Sequence, residues 1–150
     1  MPNLQKQPGD QSENTYMIDP ENSVEMARLM RQDHLVTQGM GGLFPEGTDL
    51  TDVHSILDLA CGPGGWVLET AFAHSDIEVV GVDISERMIA YACAQAKVQV
   101  LENASFRVMN ILKPLDFPDA SFDLVNARVI STFMLPDAWP QLIQECIRIL

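Results

Sequence analysis

Ile56-Leu57-Asp58-Leu59-Ala60-Cys61-Gly62-Pro63-Gly64-Gly65 is the stretch whose reading decides the fold. It begins with aliphatic residues suited to a buried strand and then breaks into small residues and a proline, a composition that turns the chain sharply. Trp66 to Ala73 follows with helical composition and no breaker. Strand, tight glycine loop and helix are therefore expected in that order. In an α/β sheet such a loop lies at the carboxyl end of a strand, where helix amide groups face whatever docks there. That is the layout of a nucleotide-type cofactor site.

Outward from this stretch, strands and helices alternate. Ile77 to Asp83 reads as a second strand that ends in an acid, and Ser85 is placed to cap the next helix, with Met88, Ile89, Ala92 and Ala96 on one face. Ser105 to Met109 reads as a third strand ending at Asn110, and Phe122 to Ala127 as a fourth. Leu135 to Asp137 starts a last helix, with Trp139, Leu142, Ile143, Cys146 and Ile147 as its buried face. Ahead of the first strand, Asp19-Pro20-Glu21 has the composition of a helix start. Val24, Ala27, Met30, Leu35 and Gln38 then follow an approximate helical face, with Arg28, Arg31 and Asp33 outside it, up to Gly39 or the Gly41-Gly42 pair. Phe44 anchors the loop beyond. Residues 1–15 are rich in Gln, Asn, Ser, Pro and Gly and are expected to form a disordered tail, leaving 16–150 as one domain. The alternation predicts an α/β, Rossmann-like three-layer sandwich with a mainly parallel sheet, its strands ordered third, second, first, fourth.

The spacing within the loop narrows the ligand. A dinucleotide loop would place a third glycine where Val67 stands, and a phosphate-binding loop would need a lysine, which is absent between Lys6 and Lys97. The string instead resembles motif I of the class I S-adenosylmethionine-dependent methyltransferases, an acid followed by three alternating glycines. Asp58 takes the acidic position, and Ala60, Gly62 and Gly64 take the glycine positions, with Ala60 as a departure. The resemblance covers residues 16–150 and is similar to the small-molecule branch of that family.

It implies S-adenosyl-L-methionine as cofactor and assigns roles along the chain. Asp83, with Ile84 beside it, takes the position whose acid accepts from the ribose hydroxyls. The bare residues also allow a solvated acid capping the following helix. Asn110 keeps the side-chain oxygen that would accept from the adenine amino group, with Ile111 packing on the ring; a turn-forming Asn is the alternative. Asn126 and Arg128 stand at the end of the fourth strand, on the wall facing the methyl group, where Arg128 would meet the methionine carboxylate or form a surface salt bridge. Asp58 organises the loop and the ligand's ammonium group. Tyr16 resembles aromatic residues that fold over the cofactor in small-molecule members. The implied chemistry is in-line methyl transfer, in which the protein mainly holds two atoms about 3–3.5 Å apart. No residue is assigned as general base.

Composition bounds the partners. The 150 residues carry a formal net charge of −12 and 47% hydrophobic residues. Such a balance repels nucleic acid and anionic membranes, and the Asn/Asp-Pro-Pro-aromatic segment of base-methylating relatives is absent after the fourth strand. A small-molecule acceptor is expected, with no nucleic acid and no membrane. The N-terminal residues lack a secretory apolar core. The three cysteines, Cys61, Cys93 and Cys146, have no paired spacing and suit reduced thiols in a cytoplasmic protein. His34, His54 and His74 are too dispersed for a metal site, so no metal is expected.

The family sheet has seven strands, whereas four are legible here. The chain is thus expected to be truncated after the fourth strand, with that open edge inviting self-association. Two rival readings are a nicotinamide-dependent oxidoreductase and a non-catalytic cofactor-binding or partner domain.

Overall fold

A computed structural model describes residues 20–150. Tyr16, Asp19 and the expected tail lie outside the described residues. Helix α1 spans Pro20–Gly39 and is followed by a loop into strand β1, Ser55–Leu59. The chain continues through α2 (Gly65–Ala73), β2 (Glu78–Asp83), α3 (Glu86–Val98), β3 (Ala104–Val108), β4 (Leu124–Ala127) and α4 (Trp139–Ile149), with two short 3₁₀ turns before α4. The four strands are parallel and ordered β3-β2-β1-β4, as the alternating pattern predicts.

Strand β1 is central, so both its faces are covered and its residues alternate between two cores. Leu57 and Leu59 point into a cluster with Val82, Ile111, Phe122, Leu142 and Ile149, which packs α4 on one side of the sheet. Ile56 points the other way, with Trp66, Val67, Ala71, Ile77 and Val79, beneath α2. Trp66 is fully buried, its Nε1 donates to the Leu43 carbonyl at 2.9 Å, and Phe44 stands edge-on to its ring at 5.4 Å. The Phe44 anchor is therefore present. Asn103 holds the far end of the same layer, its side-chain amide donating to the Ala71, His74 and Ile77 carbonyls at 2.9–3.1 Å.

Two helix faces differ from the sequence expectation. On α1 the buried residues are Met26 and Thr37, with Asp33 half-buried between them, whereas Val24, Ala27, Leu35 and Gln38 are exposed. The helix packs on α2, and its covered or partly covered face is Met26, Leu29, Met30, Asp33, Val36 and Thr37, which leaves Val24, Ala27 and Leu35 to solvent. Asp33 consequently faces inward, not outward. On α4 the buried positions are Leu142 and Ile149, with Cys146 partly covered, while Ile143 and Ile147 are exposed. The helix is rotated so that Glu145 and Arg148 reach the loop before β4. Arg148 pairs with Glu145 at 2.8 Å and Asp119 at 2.9 Å and donates to the Phe117 and Leu115 carbonyls.

Candidate functional site

At the carboxyl end of β1 the backbone adopts left-handed angles at alternating residues: Ala60 at φ 54, Gly62 at φ 56 and Gly64 at φ 87. This is why small residues recur at that period. An L side chain in this region costs about 1–2 kcal/mol, a strain that Ala60 bears. The loop is held from two sides. The Cys61 amide donates to the Val82 carbonyl at 2.9 Å, and the Gly64 amide to the Cys61 carbonyl at 3.1 Å.

The glycines differ in what excludes a side chain. A Cβ at Gly62 would meet open space. At Gly64 it would strike Phe106 at 2.8 Å and Ala92 at 2.9 Å, and at Gly81 it would strike Phe106 at 2.8 Å and the Cys61 sulfur at 2.9 Å. Gly64 thus serves the packing of α2 on β3, and of the two loop glycines only Gly62 presents its missing side chain to open space.

Asp83 ends β2 and grips both neighbouring segments. Its Oδ2 accepts from the Gly62 amide at 2.9 Å and its Oδ1 from the Ser85 amide at 2.9 Å. Ser85 in turn caps α3, its Oγ accepting from the Met88 amide at 3.3 Å. Asn110 makes the turn geometry that its composition allowed, its Oδ1 accepting from the Leu112 amide at 2.9 Å.

Two cavities meet at Ala60. One, of about 210 Å³, is mostly apolar and lined by Asp83, Ile84, Met109, Asn110, Ile111 and Phe133. The other, of about 160 Å³, has charged side chains in its wall: Asp33, Asp58 and Arg128 line it together with Gly62 and Val129. The loop separates them. Gly64 and Asn126 line neither.

Asn126 acts on Asp58. The two are register partners on β4 and β1, and the Asn126 side-chain amide donates to Asp58 Oδ1 at 2.8 Å. Asp58 is 4% exposed. Burial pushes its carboxyl up to about 7; the Asn126 bond and Arg128 oppose this, while the Asp33 and Asp83 charges add to it. Burial likewise lifts the Cys61 thiol, with Asp58 and Asp83 nearby, so it is an inert sulfur.

Arg128 is tied to α1. Its Nη1 donates to Thr37 Oγ1 at 2.8 Å and its Nη2 to Asp33 Oδ1. The guanidinium is 8% exposed, so this is not a surface salt bridge. Burial raises the Asp33 carboxyl, against the pull of Arg128. Asp33 and Thr37 are the residues that sequence reading missed. The Met26, Met30, Asp33, Thr37 spacing, four-three-four, was the available signal for that buried stripe.

The donor set suits an adenosine joined to an amino acid: an apolar slot with an acid and an amide at its rim, then a charged cavity with two carboxylates and a guanidinium. The family described as "Methyltransferase domain" matches residues 56–150. The chain belongs to that methyltransferase family. It is 32% identical over 127 residues to 27-O-demethylrifamycin SV methyltransferase of Amycolatopsis mediterranei, covering 84% of this chain and 44% of that protein. Among solved structures it is similar to a protein from Pyrococcus horikoshii, with 31% identity and a TM-score of 0.57 over 84% of this chain and 53% of that one. It is also similar to phosphoethanolamine N-methyltransferase 2 of Haemonchus contortus in complex with S-adenosyl-L-methionine, at 25% identity and a TM-score of 0.55, over 65% of this chain and 22% of that one. The chain spans less than half the length of the first curated relatives it matches. S-adenosyl-L-methionine is the cofactor of the methyltransferase fold found here, and the nicotinamide reading is set aside. Among the described residues no helix is long and apolar enough to cross a membrane.

Proposed function

We propose that this chain is the cofactor-binding part of a methyltransferase acting on a small-molecule acceptor. The observation that carries the reading is the pair of cavities meeting at Ala60, one apolar and one charged. The bound cofactor supplies a methyl group already activated on a sulfonium. The chain's own residues bind and orient. Asp83 fixes the loop through Gly62 and keeps lone pairs for two ribose hydroxyls. Ile84 and Ile111 flank the adenine slot, and Asn110 offers the side-chain polar group at its edge. Ala60 and Gly62 let the ligand pass close to the backbone, while Gly64 sets the angle at which α2 leaves the loop. Asp58, steadied by Asn126, and Arg128 face the amino-acid end. Tyr16 is proposed as the aromatic cover over the cofactor.

A small acceptor is favoured by the net charge of −12, which opposes nucleic acid, and by the relative named for a rifamycin derivative. Residues 16–150 are proposed as the domain and the cytoplasm as its compartment. Calorimetric titration with S-adenosylhomocysteine and with NAD tests the cofactor site; binding of NAD alone overturns it. Methyl transfer to a panel of small acceptors, against tRNA and DNA, tests the acceptor class. Cofactor binding with no turnover on any acceptor would favour the non-catalytic alternative.

A further inference from the structure

The apolar cavity at the end of β2 carries little that can read a base by hydrogen bonding. Apart from Asp83 and Asn110, the side chains in its wall are aliphatic, thioether or aromatic. Both Asp83 oxygens already take backbone amides, from Gly62 and Ser85. Asn110 is the one side chain of that wall with N–H groups to offer. Its orientation is fixed by its own backbone. The atom 2.9 Å from the Leu112 amide is the oxygen, because a backbone N–H can only donate. That bond folds Oδ1 back toward residue 112, and the planar amide turns Nδ2 the other way. Nδ2 has no protein partner among the described residues, yet it is not sealed off: the side-chain atoms buried without a partner are Asp33 Oδ2 and Thr70 Oγ1.

We infer that Asn110 recognises the cofactor's purine by donating from Nδ2 to a ring nitrogen, and not by accepting from the 6-amino group through Oδ1. The inference rests on the cofactor reading above. The purine edge carries both polarities, N–H donors on the amino group and a lone pair on the adjacent ring nitrogen. A carboxylate at position 110 could only accept and would select the amino group. An amide whose oxygen is held by the Leu112 backbone presents the opposite polarity. In an apolar slot two facing donors would both forfeit their bonds to water, so the base settles with its acceptor nitrogen toward Nδ2. The site therefore requires the ring acceptor and tolerates loss of the amino group.

The test is displacement of S-adenosylhomocysteine by three nucleosides. They are adenosine, 1-deazaadenosine, in which the ring acceptor is a C–H, and purine riboside, which lacks the 6-amino group. With wild type, 1-deazaadenosine should compete about tenfold less well than adenosine, the scale of one hydrogen bond, and purine riboside within about threefold of it. Asn110→Asp keeps an acceptor for the Leu112 amide, and with it the turn, but exchanges the donor for a second acceptor. It should reverse the order, leaving purine riboside the weak competitor and 1-deazaadenosine close to adenosine. Should that variant melt early, Asn110→Ala takes its place, and there adenosine and 1-deazaadenosine should compete alike. Wild type that discriminates against purine riboside instead, or treats all three alike, overturns the inference. A variant that keeps the wild-type order also overturns it, since the donor would then lie on the backbone. Wild-type protein that fails to bind S-adenosylhomocysteine overturns the cofactor reading itself, and this inference with it.

Discussion

Asp83 Oδ2 receives the Gly62 amide at 2.9 Å, joining the end of β2 to the turn that follows β1. The same carboxylate holds the Ser85 amide, so one side chain fixes the loop and the start of α3 together. Replacing it by alanine should weaken S-adenosylhomocysteine binding by about 1.5–3 kcal/mol, the scale for lost charge-assisted bonds to two hydroxyls. It should also lower stability by about 1–3 kcal/mol, since two backbone amides lose their acceptor. Calorimetry and chemical denaturation separate the two effects. An affinity within twofold of wild type would remove Asp83 from the ligand.

Gly62 and Gly64 should part company on substitution. At Gly64 valine has to displace Phe106 and Ala92 as well as adopt φ 87, so thermal melting should reveal a loss of several kcal/mol. At Gly62 the added atoms meet open space and the backbone alone is strained, by about 1–2 kcal/mol. Gly62→Val should therefore stay folded and lose cofactor affinity. Equal melting losses with affinity retained in both would make the loop purely structural.

Stability should carry a trace of Asp58 in its pH dependence. The folded carboxyl titrates at about 7, above the unfolded value near 3.9. Between those values the folded chain binds a proton that the unfolded chain has released. The contribution is therefore complete below about pH 4 and lost as pH rises through 7. Burial is the main cause, with Asn126 and Arg128 opposing and Asp33 and Asp83 reinforcing. Asp58→Asn should match wild type near pH 4 and gain on it steadily up to about pH 7 in urea titrations. A constant difference across that range would show that Asp58 is ionised throughout.

Strand β4 stands at one end of the sheet order and is four residues long. An edge of this kind offers unpaired backbone groups to a second chain. The net charge of −12 resists such pairing at low ionic strength. Self-association of the 150-residue chain is therefore expected to rise with salt, as screening shortens the repulsion. Light scattering after size exclusion would detect it. A monomer at all salt concentrations would show the edge to be protected.

The parallel sheet and its strand order were legible because β1 and β2 are apolar runs ending at sharp chemical breaks, Ala60 and Asp83. The Ser85 cap and the Phe44 anchor were legible for the same local reason. The buried face of α1 was not. Its inward residues include Asp33 and Thr37, which a hydrophobic pattern assigns to solvent, and their burial depends on Arg128, far away in sequence on β4's exit. The exposed Ile143 and Ile147 of α4 misled in the opposite way, because Arg148 and Glu145 fix that helix through polar bonds to the preceding loop. The period of that α1 face shows only when its polar members, Asp33 and Thr37, are counted with Met26 and Met30.

The ring of Phe106 fills the space that both Gly64 and Gly81 leave empty. What is permitted in the loop after β1 and in the middle of β2 is therefore decided on β3. At position 81 the ring and the Cys61 sulfur are the close obstacles to a side chain, so the ban on alanine there belongs to its neighbours and not to glycine. A lineage that shrank residue 106 would relieve the ring's clash at both sites together, leaving φ 87 and Ala92 to restrict position 64 and the Cys61 sulfur to restrict position 81. Changes at these three positions are bound to an order of succession, with the β3 residue moving first.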